Sequence, residues 1–442
     1  MIGSKKKDVT RNQTASEFDS ADYKRSRAAY RWECTFEYFV SLLVTDAFLA
    51  KLLKSIGMDD ALVGILSSLV SLAFLFQLFA VFVVQRIRNT KRFAILFHSL
   101  SQLFFMSLYL IPFMPFAYGY KKILVIIFIM VAYFGNYFVT SVIFKWGNSY
   151  VDPGKRASFT AGKEMLSLAS GIVMTLVAGF VIDSFEASNN LNGAFIFCAV
   201  SILIFCISDF VCLLLIKNDV KPEIQKKDIV PFGEVLRNTL LNRNFRSVVF
   251  LTILWNVAVF MSTGFLGTYR LEELAFTVGA VQLINIVGHA GRFAISKPFG
   301  RYSDKHSYAK GVELALLLAI LGFLVLICTT PATRFLIIGY SLLYNMCQAG
   351  ISGNMINITY SYVDSRYFVQ ASAIKNSIGG ICGFLSSLVG SRILKAIQNN
   401  GNRILGIPVY GQQFLAGITV VLLTAALLYN RFVISKQTVM KQ

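Results

Sequence analysis

The chain has 442 residues, of which 55% are hydrophobic and 15% charged, and its formal net charge is +19. A soluble domain has about 45–50% apolar and about 25% charged residues. The composition therefore excludes an ordinary soluble domain, because one globular core cannot bury this much apolar surface.

Apolar runs of about 20 residues, long enough to cross a bilayer as helices, recur between clusters of charged residues. The twelve predicted spans are 30–52, 61–84, 93–115, 122–144, 158–182, 193–216, 247–269, 276–299, 311–329, 334–358, 369–394 and 411–431. The sequence thus predicts an all-α polytopic membrane protein with twelve transmembrane helices.

The longest polar stretch between spans separates two pseudo-symmetric halves of six spans each. Phe232, Val235, Leu236, Thr239 and Leu240 fall there at helical spacing, which predicts an amphipathic helix on the membrane surface. The charged N-terminal residues lack the apolar core and cleavage site of a signal peptide, so we interpret them as a retained tail. The expected domains are a cytoplasmic tail (1–29), a six-helix bundle (30–216), a cytoplasmic linker (217–246), a second six-helix bundle (247–432) and a cytoplasmic tail (433–442).

Most Lys and Arg residues lie on one side of the predicted spans if the N-terminus is cytoplasmic. Short cytoplasmic loops carry such an excess, so both termini are expected inside a plasma or inner membrane. The positive charge is then a topology signal that favours contact with anionic lipid, and no nucleic-acid partner is expected.

The sequence offers little for catalysis or for cofactors. The seven cysteines all fall inside predicted spans without CxxC spacing, and His98, His289 and His306 lie on different segments, so neither disulfides nor a His-rich metal centre is expected. No phosphate-binding glycine motif is present. We therefore expect no metal, no cofactor and no enzyme activity, and transport would have to draw on a gradient.

Span one carries three acidic residues, Glu33, Glu37 and Asp46. Charges within a membrane are costly and usually face a partner or a watery cavity. Glu37 shares a helical stripe with Glu33, and we predict that it carries the coupling proton. Asp46 points roughly the opposite way, which favours a helix–helix hydrogen bond.

Span eight places Asn285, His289 and Arg292 on one polar stripe, at spacings of four and three. Arg292 is interpreted as a ligand for an anionic substrate group or as a partner for a span-one glutamate, the alternative being an arginine that reaches the headgroups. The other candidates at span midpoints either line the site or cross-link helices: Asn136, Asn256, Asn345 and Asn376.

A shift of 212 residues matches Lys163 with Lys375 and Gly171 with Gly383, in the fifth span of each half. Both spans are rich in small residues, which allow close helix contacts in a bilayer. Their lysines suggest an inner charge cluster that acts as a cytoplasmic gate or as part of a substrate site. Its expected members are Glu33, Glu37, Lys163, Glu164, Arg292 and Lys375.

The stretch GRYSDKHSYAK, residues 300–310, resembles the loop signature of the major facilitator superfamily at Gly300, Asp304, Lys305 and Lys310, with Ser307 in place of the second glycine. The equivalent loop of the first half, 83–92, keeps basic residues but lacks the glycine and the aspartate. The resemblance implies two bundles that rock around a midplane site, with Gly300, Asp304 and Lys305 as part of a cytoplasmic latch. The latch would hold if the Asp304 carboxylate accepted hydrogen bonds from a neighbouring helix N-terminus.

The expected function is gradient-driven, proton-coupled transport of a small hydrophilic or anionic solute by a monomer. Multidrug or amphiphile efflux is the alternative within transporters. A transporter-shaped sensor would bind solute without flux, and a membrane-embedded enzyme would need a nucleophile–base pair or a metal cluster that the spans lack.

Overall fold

The computed structural model describes residues 18, 20–83, 90–152, 156–217, 233, 237, 239, 241–363, 368–404 and 406–437. The outer parts of both predicted tails lie outside these residues. So do most of the predicted amphipathic helix in the linker and most of the basic loop 83–92.

The described residues are almost entirely helical. The longer α-helices are α1 (Ala21–Leu43), α2 (Asp46–Ser55), α3 (Asp60–Ser67), α4 (Leu69–Val83), α5 (Thr90–Leu108), α6 (Tyr118–Asn148), α7 (Arg156–Ala187), α8 (Leu191–Leu215), α9 (Arg243–Phe260), α10 (Val278–His306), α11 (Tyr308–Ile327), α12 (Leu336–Tyr362), α13 (Phe368–Asn399) and α14 (Gly411–Phe432). Shorter elements are 3₁₀ turns at Ile111–Phe113, Thr263–Phe265 and Ile434–Lys436, a helical turn at Leu266–Thr268, a π-helix at Tyr269–Glu273 and an antiparallel pair of strands, β1 (Arg403–Ile404) and β2 (Ile407–Pro408).

Within the described part of the chain, nine helical segments are long and apolar enough to cross a membrane. They match predicted spans two, four to nine, eleven and twelve. Helices also occupy spans one, three and ten, where they are interrupted, shorter or more polar. The all-α membrane class is thus confirmed, and the count of twelve spans stays a prediction.

Polar caps fix where several helices begin. Asp59 accepts a hydrogen bond from Leu62 N at 2.9 Å, Asn190 accepts one from Gly193 N at 3.0 Å, and Thr277 accepts one from Ala280 N at 3.2 Å. Each satisfies a backbone donor that the first helical turn leaves unpaired. These three caps lie on one side of the molecule, which we call the far face. The side where α1 begins and α14 ends is called the terminal face.

Two large apolar cores lie in the two halves of the chain. The first is built from helices between α1 and α8, joined by Val278 and Val281 of α10. The second is built from α9 to α14 and includes Phe323, Tyr340 and Leu423. The far end of α10 is therefore where the second half packs into the core of the first.

The fifth spans make the close helix contacts that their small residues predict, and each makes them with the first span of its own half. A Cβ on Gly171 would lie 2.6 Å from Cε1 of Tyr38, and one on Gly383 would lie 2.8 Å from Cδ2 of Phe260. Both distances are shorter than a carbon–carbon contact allows, so each glycine admits an aromatic ring that alanine would exclude. The two glycines matched by the shift of 212 residues therefore have the same packing role.

The two halves approach each other most closely toward the far face. A Cβ on Gly64 would meet Cδ1 of Phe265 at 1.9 Å, and one on Gly380 would meet the backbone oxygen of Ser71 at 2.1 Å. Ser377 Oγ of α13 donates to the Phe74 carbonyl of α4 at 2.9 Å, which is a further contact between the halves. The structure therefore shows a closed far face.

Asp46 is the centre of the far-face junction. Arg270 Nη1 donates to Asp46 Oδ2 at 2.9 Å, and Asn285 Nδ2 donates to the same oxygen at 2.9 Å. The side chain of Arg270 is 8% exposed and that of Asp46 is 30% exposed. This is the helix–helix hydrogen bond that the sequence predicts for Asp46, and it also joins the first half to two elements of the second.

Both partners of this ion pair sit where the backbone departs from a regular α-helix. Asp46 has φ 47°, in the left-handed region, and it is the first residue of α2, directly after the break that follows α1. Arg270 lies in the π-helix Tyr269–Glu273. Such conformations cost on the order of 1–3 kcal/mol and persist where surrounding contacts hold them. The junction therefore interrupts predicted span one, which the sequence reads as one continuous helix.

A second set of polar contacts lies at the rim of the far face. Lys395 Nζ donates to Asp59 Oδ2 at 2.9 Å, and Gln398 Nε2 donates to Asp60 Oδ2 at 2.7 Å. Partial burial acts to raise the pKa of Asp59, but the hydrogen bonds from Lys395 and from Leu62 N–H outweigh it and lower that pKa. Asp59 is therefore ionised at neutral pH and available to pair with α13.

Replacing Arg270 should loosen the far face. Hydrogen bonds to charged groups contribute about 1.5–3 kcal/mol, so Arg270→Gln should raise the ratio of open to closed far faces by about tenfold or more. The measurement is thiol cross-linking between Asp59→Cys and Lys395→Cys, side chains that are 49% and 60% exposed. The background carries Cys328→Ser, because Cys328 is an exposed thiol.

Cross-linking should be slower in the Arg270→Gln background than in the parent. The matched control is Lys310→Gln, which removes a lysine that pairs with Glu313 in its own helix at 2.7 Å. Equal cross-linking in the parent, Arg270→Gln and Lys310→Gln proteins would show that the ion pair does not hold the halves together.

Candidate functional site

Arg292 lies on α10 with its side chain exposed. Its guanidinium is close enough to interact electrostatically with Tyr38 of α1 and with Tyr344 of α12. Since Tyr38 belongs to the first half, Arg292 faces the space between the halves. No ion pair to Arg292 is present among the described residues, so the expected pairing with Glu33 or Glu37 is not observed in this structure.

The rest of the span-eight stripe divides between the site and the junction. Asn285 bonds Asp46, as described above, whereas His289 is half-buried and interacts electrostatically with Arg292 and Asp46. Asn345 of α12 lies beside Gly288, where an added Cβ would meet its Nδ2 at 2.4 Å. The Asn345 amide donates to the Ser341 carbonyl of its own helix at 2.8 Å. Its carbonyl oxygen is not used in that bond.

Glu37 lies in the first half with its side chain partly exposed. Its Oε1 accepts a hydrogen bond from Asn136 Nδ2 of α6 at 3.0 Å. Two of the predicted site residues are therefore in direct contact, on neighbouring helices. A carboxylate with one fixed donor and access to solvent can bind a proton or a cation without losing its position.

The shared stripe predicts that Glu33 and Glu37 lie together. In the structure, Glu33 does not join Glu37 at the space between the halves. It is fully buried inside the first half, close to His98 of α5 and Asp209 of α8. Four residues rotate a helix by about 40° and advance it by about 6 Å. That displacement is enough to turn Glu33 into the bundle while Glu37 stays at its edge.

The lysines of the fifth spans are likewise separated. Lys163 Nζ lies 4.7 Å from the ring centre of Tyr30 and 3.3 Å from Cys34 Sγ. Lys375 is 4% exposed and donates to Thr359 Oγ1 at 3.1 Å. Glu164 is exposed on α7. Lys163 and Glu33 both contact Cys34, whereas the other expected gate residues lie apart from them, and the gate stays a prediction.

In the loop 300–310, no hydrogen bond to the Asp304 carboxylate is present among the described residues. Gly300, Asp304 and Lys305 are all exposed, and α10 continues through them to His306. The next helix is instead capped by Ser307, whose Oγ accepts from Lys310 N at 3.2 Å. The serine that replaces the second glycine of the signature thus caps α11, and the part of Asp304 in a latch stays a prediction.

The two remaining asparagines are both half-buried. Asn256 donates to the Thr252 carbonyl of its own helix at 2.8 Å and packs beside Gly379 and Gly383. Asn376 lies next to Lys375 on α13, one residue before Ser377, which joins the halves. Asn256 therefore supports helix packing, while Asn376 keeps its place as a predicted site residue.

Three ionisable residues that contact predicted site residues or Asp46 are not predicted from the sequence to be functional. Arg270 is at the outer end of span seven, where an arginine usually marks the end of a helix. His98 and Asp209 stand alone in spans three and six, and only the fold makes them neighbours. An isolated ionisable residue inside an apolar span was the signal that could have identified them.

The sequence matches a protein family model, described as the Major Facilitator Superfamily, over residues 34–387. No relative among curated protein sequences matches this chain. Solved transporter structures share its fold at low sequence identity.

A variant of the nucleoside transporter NupG is 12% identical, with a TM-score of 0.69, over 92% of this chain and 99% of that one. An inward-facing, unoccupied bacterial homologue of the human lysosomal transporter Spinster is 14% identical, with a TM-score of 0.69, over 96% and 100%. A bacterial metal transporter is 12% identical, with a TM-score of 0.63, over 95% and 99%. At these identities the likeness establishes the fold alone, and together with the family match it shows that this membrane protein belongs to the Major Facilitator Superfamily.

Proposed function

We propose that this chain is a gradient-driven, proton-coupled transporter of a small hydrophilic or anionic solute. The observation that carries the proposal is Arg292, a permanent charge that faces the other half of the molecule. A charge at this depth is stabilised only by a partner or by water, and none of the described residues forms an ion pair with it. An anionic group of a substrate would supply the partner, through the bidentate contacts that guanidinium favours.

The conformation supports alternating access. The far face is closed by the Asp46 junction and by the close contact at Gly64. A solute would therefore reach Arg292 from the terminal face. With both termini cytoplasmic in a plasma or inner membrane, as the distribution of Lys and Arg predicts, this is an inward-open state.

Proton coupling is assigned to Glu37. Burial disfavours a charged carboxylate, whereas a nearby donor or positive charge favours it. Closing the terminal face would remove water from Glu37 and bring second-half residues closer, so its proton affinity would change between the two states. The hydrogen bond from Asn136 fixes the carboxylate during that change.

Family membership supports transport over catalysis, and it leaves the class of solute to the site itself. Efflux of cationic amphiphiles is the competing function, because Glu37 lies near Tyr137 in a partly exposed position. Loss of cationic drug binding in Glu37→Gln or Asp46→Asn, with anion binding absent throughout, would favour that function.

Arg292→Ala should abolish the stabilisation of the purified protein by an anionic ligand. A ligand at 100 times its dissociation constant stabilises the folded state by about 2.7 kcal/mol, so the melting temperature reports binding. The screen covers carboxylates, phosphates, sugars, amino acids and cationic drugs. Lys297→Ala, an exposed lysine on the same helix, is the control and should respond as the parent does. If neutral sugars or cations raised the melting temperatures of all three proteins equally, Arg292 would not be a ligand of the solute.

Glu37→Gln should reduce solute-driven proton uptake in liposomes to the level of empty vesicles, because an amide cannot take up the proton. Glu37→Asp should retain part of the uptake. The control is Glu164→Gln, an exposed glutamate on α7, which should transport protons normally. Undiminished proton uptake by Glu37→Gln would refute the assignment.

A further inference from the structure

A second polar site lies inside the first half, away from Arg292. Glu33 of α1, His98 of α5 and Asp209 of α8 are each 0–1% exposed. Each offers a ligand atom, and these atoms all lie within 4.8 Å of one another. Three helices that are distant in sequence thus meet at one point through three metal-ligand side chains.

The site has more acceptors than donors. Cys34 Sγ donates to Glu33 Oε2 at 3.1 Å, and His98 Nε2 lies 2.9 Å from Asp209 Oδ2. Glu33 Oε1, Asp209 Oδ1 and His98 Nδ1 remain buried without a hydrogen-bond partner. Buried polar atoms are normally satisfied, and an unpaired one costs about 1–3 kcal/mol. These unpaired acceptors would be satisfied by an electropositive partner.

A fourth side chain points to the same conclusion. Gln102, one turn after His98, is 1% exposed, and its Oε1 also lacks a partner. Its Nε2 lies 3.5 Å from His98 Nε2, a contact that brings no donor to the carboxylates. Because amide oxygen and nitrogen are interchangeable by a half-turn, the Gln102 carbonyl can face the cluster as a further oxygen ligand.

Charge balance distinguishes the possible occupants. With a neutral imidazole, Glu33 and Asp209 carry two negative charges in a membrane-embedded bundle, where uncompensated charge is costly. Lys163 reaches Cys34 at the edge of this cluster but forms no ion pair with either carboxylate in the described structure. A monovalent ion would leave one of them, whereas a divalent ion leaves none. Two protons, one on His98 and one on a carboxylate, would also balance the charge, so metal binding has to be measured directly.

We propose that Glu33, His98 and Asp209, with Gln102 as an additional oxygen donor, form a binding site for a divalent first-row transition-metal ion. Carboxylates and imidazole together suit ions such as Mn²⁺, Fe²⁺, Co²⁺ and Zn²⁺. The 2.9 Å between His98 and Asp209 fits neighbouring ligands of one ion, which lie about 3 Å apart when each bond is about 2.1 Å. The ion would link α1, α5 and α8, and the site is independent of the proposed solute.

The three histidines lie on different segments, which is why the sequence alone predicts no metal centre. The fold brings carboxylates to His98 instead of further histidines. Glu37, one turn from Glu33, interacts electrostatically with all three ligands.

The first test is Co²⁺ binding to the purified, tag-free protein after treatment with a chelator. Saturable binding of one equivalent, with ligand-field absorbance bands, is expected for the parent. His98→Asn and Asp209→Asn should weaken the Co²⁺ affinity by at least about 100-fold, more than the loss of an outer-shell partner would. His306→Asn removes an exposed histidine outside the cluster and should bind as the parent does.

A second measurement covers the case in which the cluster variants do not fold. Chelation should lower the melting temperature of the parent protein, and Zn²⁺ or Mn²⁺ should restore it, whereas Mg²⁺ should not. A melting temperature that neither chelator nor metal changes, together with no saturable Co²⁺ spectrum in the parent, would overturn the proposal and leave the cluster as a proton site. Metal binding lost equally in His306→Asn would overturn it too, by placing the ion at the surface.

Discussion

The ion pair between Arg270 and Asp46 is the interaction on which the arrangement of the two halves depends. Among the described ion pairs between the two halves, it is the one in which a partner, Arg270, is buried. Both backbones are irregular at this point, with Asp46 in the left-handed region and Arg270 in a π-helix. The cost of those conformations is offset by the contact they permit. Because the pair closes the far face, any opening of this conformation is directed to the terminal face.

Elsewhere, the way in which a charged side chain is compensated depends on its depth in the molecule. At the far-face rim, Asp59 and Lys395 are both well exposed, and such a pair contributes little to stability. Inside the first half, Glu33, His98 and Asp209 are buried together, so a cation can compensate them locally. Arg292 belongs to neither class, since it is exposed toward the other half without an ion-pair partner in the described chain. That exception is why it carries the functional proposal.

The sequence was sufficient for the class of fold and for most of the helices, because apolar length and polar caps are local properties. It also identified Glu37, Asp46 and Arg292 as unusual, since a charge in an apolar span is visible without a structure. What it lacked was the identity of neighbouring helices. Periodicity assigns Glu33 to a helix face, but only packing shows that this face meets α5 and α8. For the same reason the partner of Asp46 could not be named, and the break before it was read as continuous helix.

The placement of Lys375 gives the molecule an internal polarity. This amine is buried in the second half with a hydroxyl group as its described partner, and Arg292 lies on the same side of the central space, whereas Glu37 lies on the other. If Arg292 and Glu37 line the solute path, as proposed, a solute between the halves would experience an electric field that draws negative groups toward the second half and positive groups toward the first. Such a field would align a zwitterion along one axis before any specific contact forms.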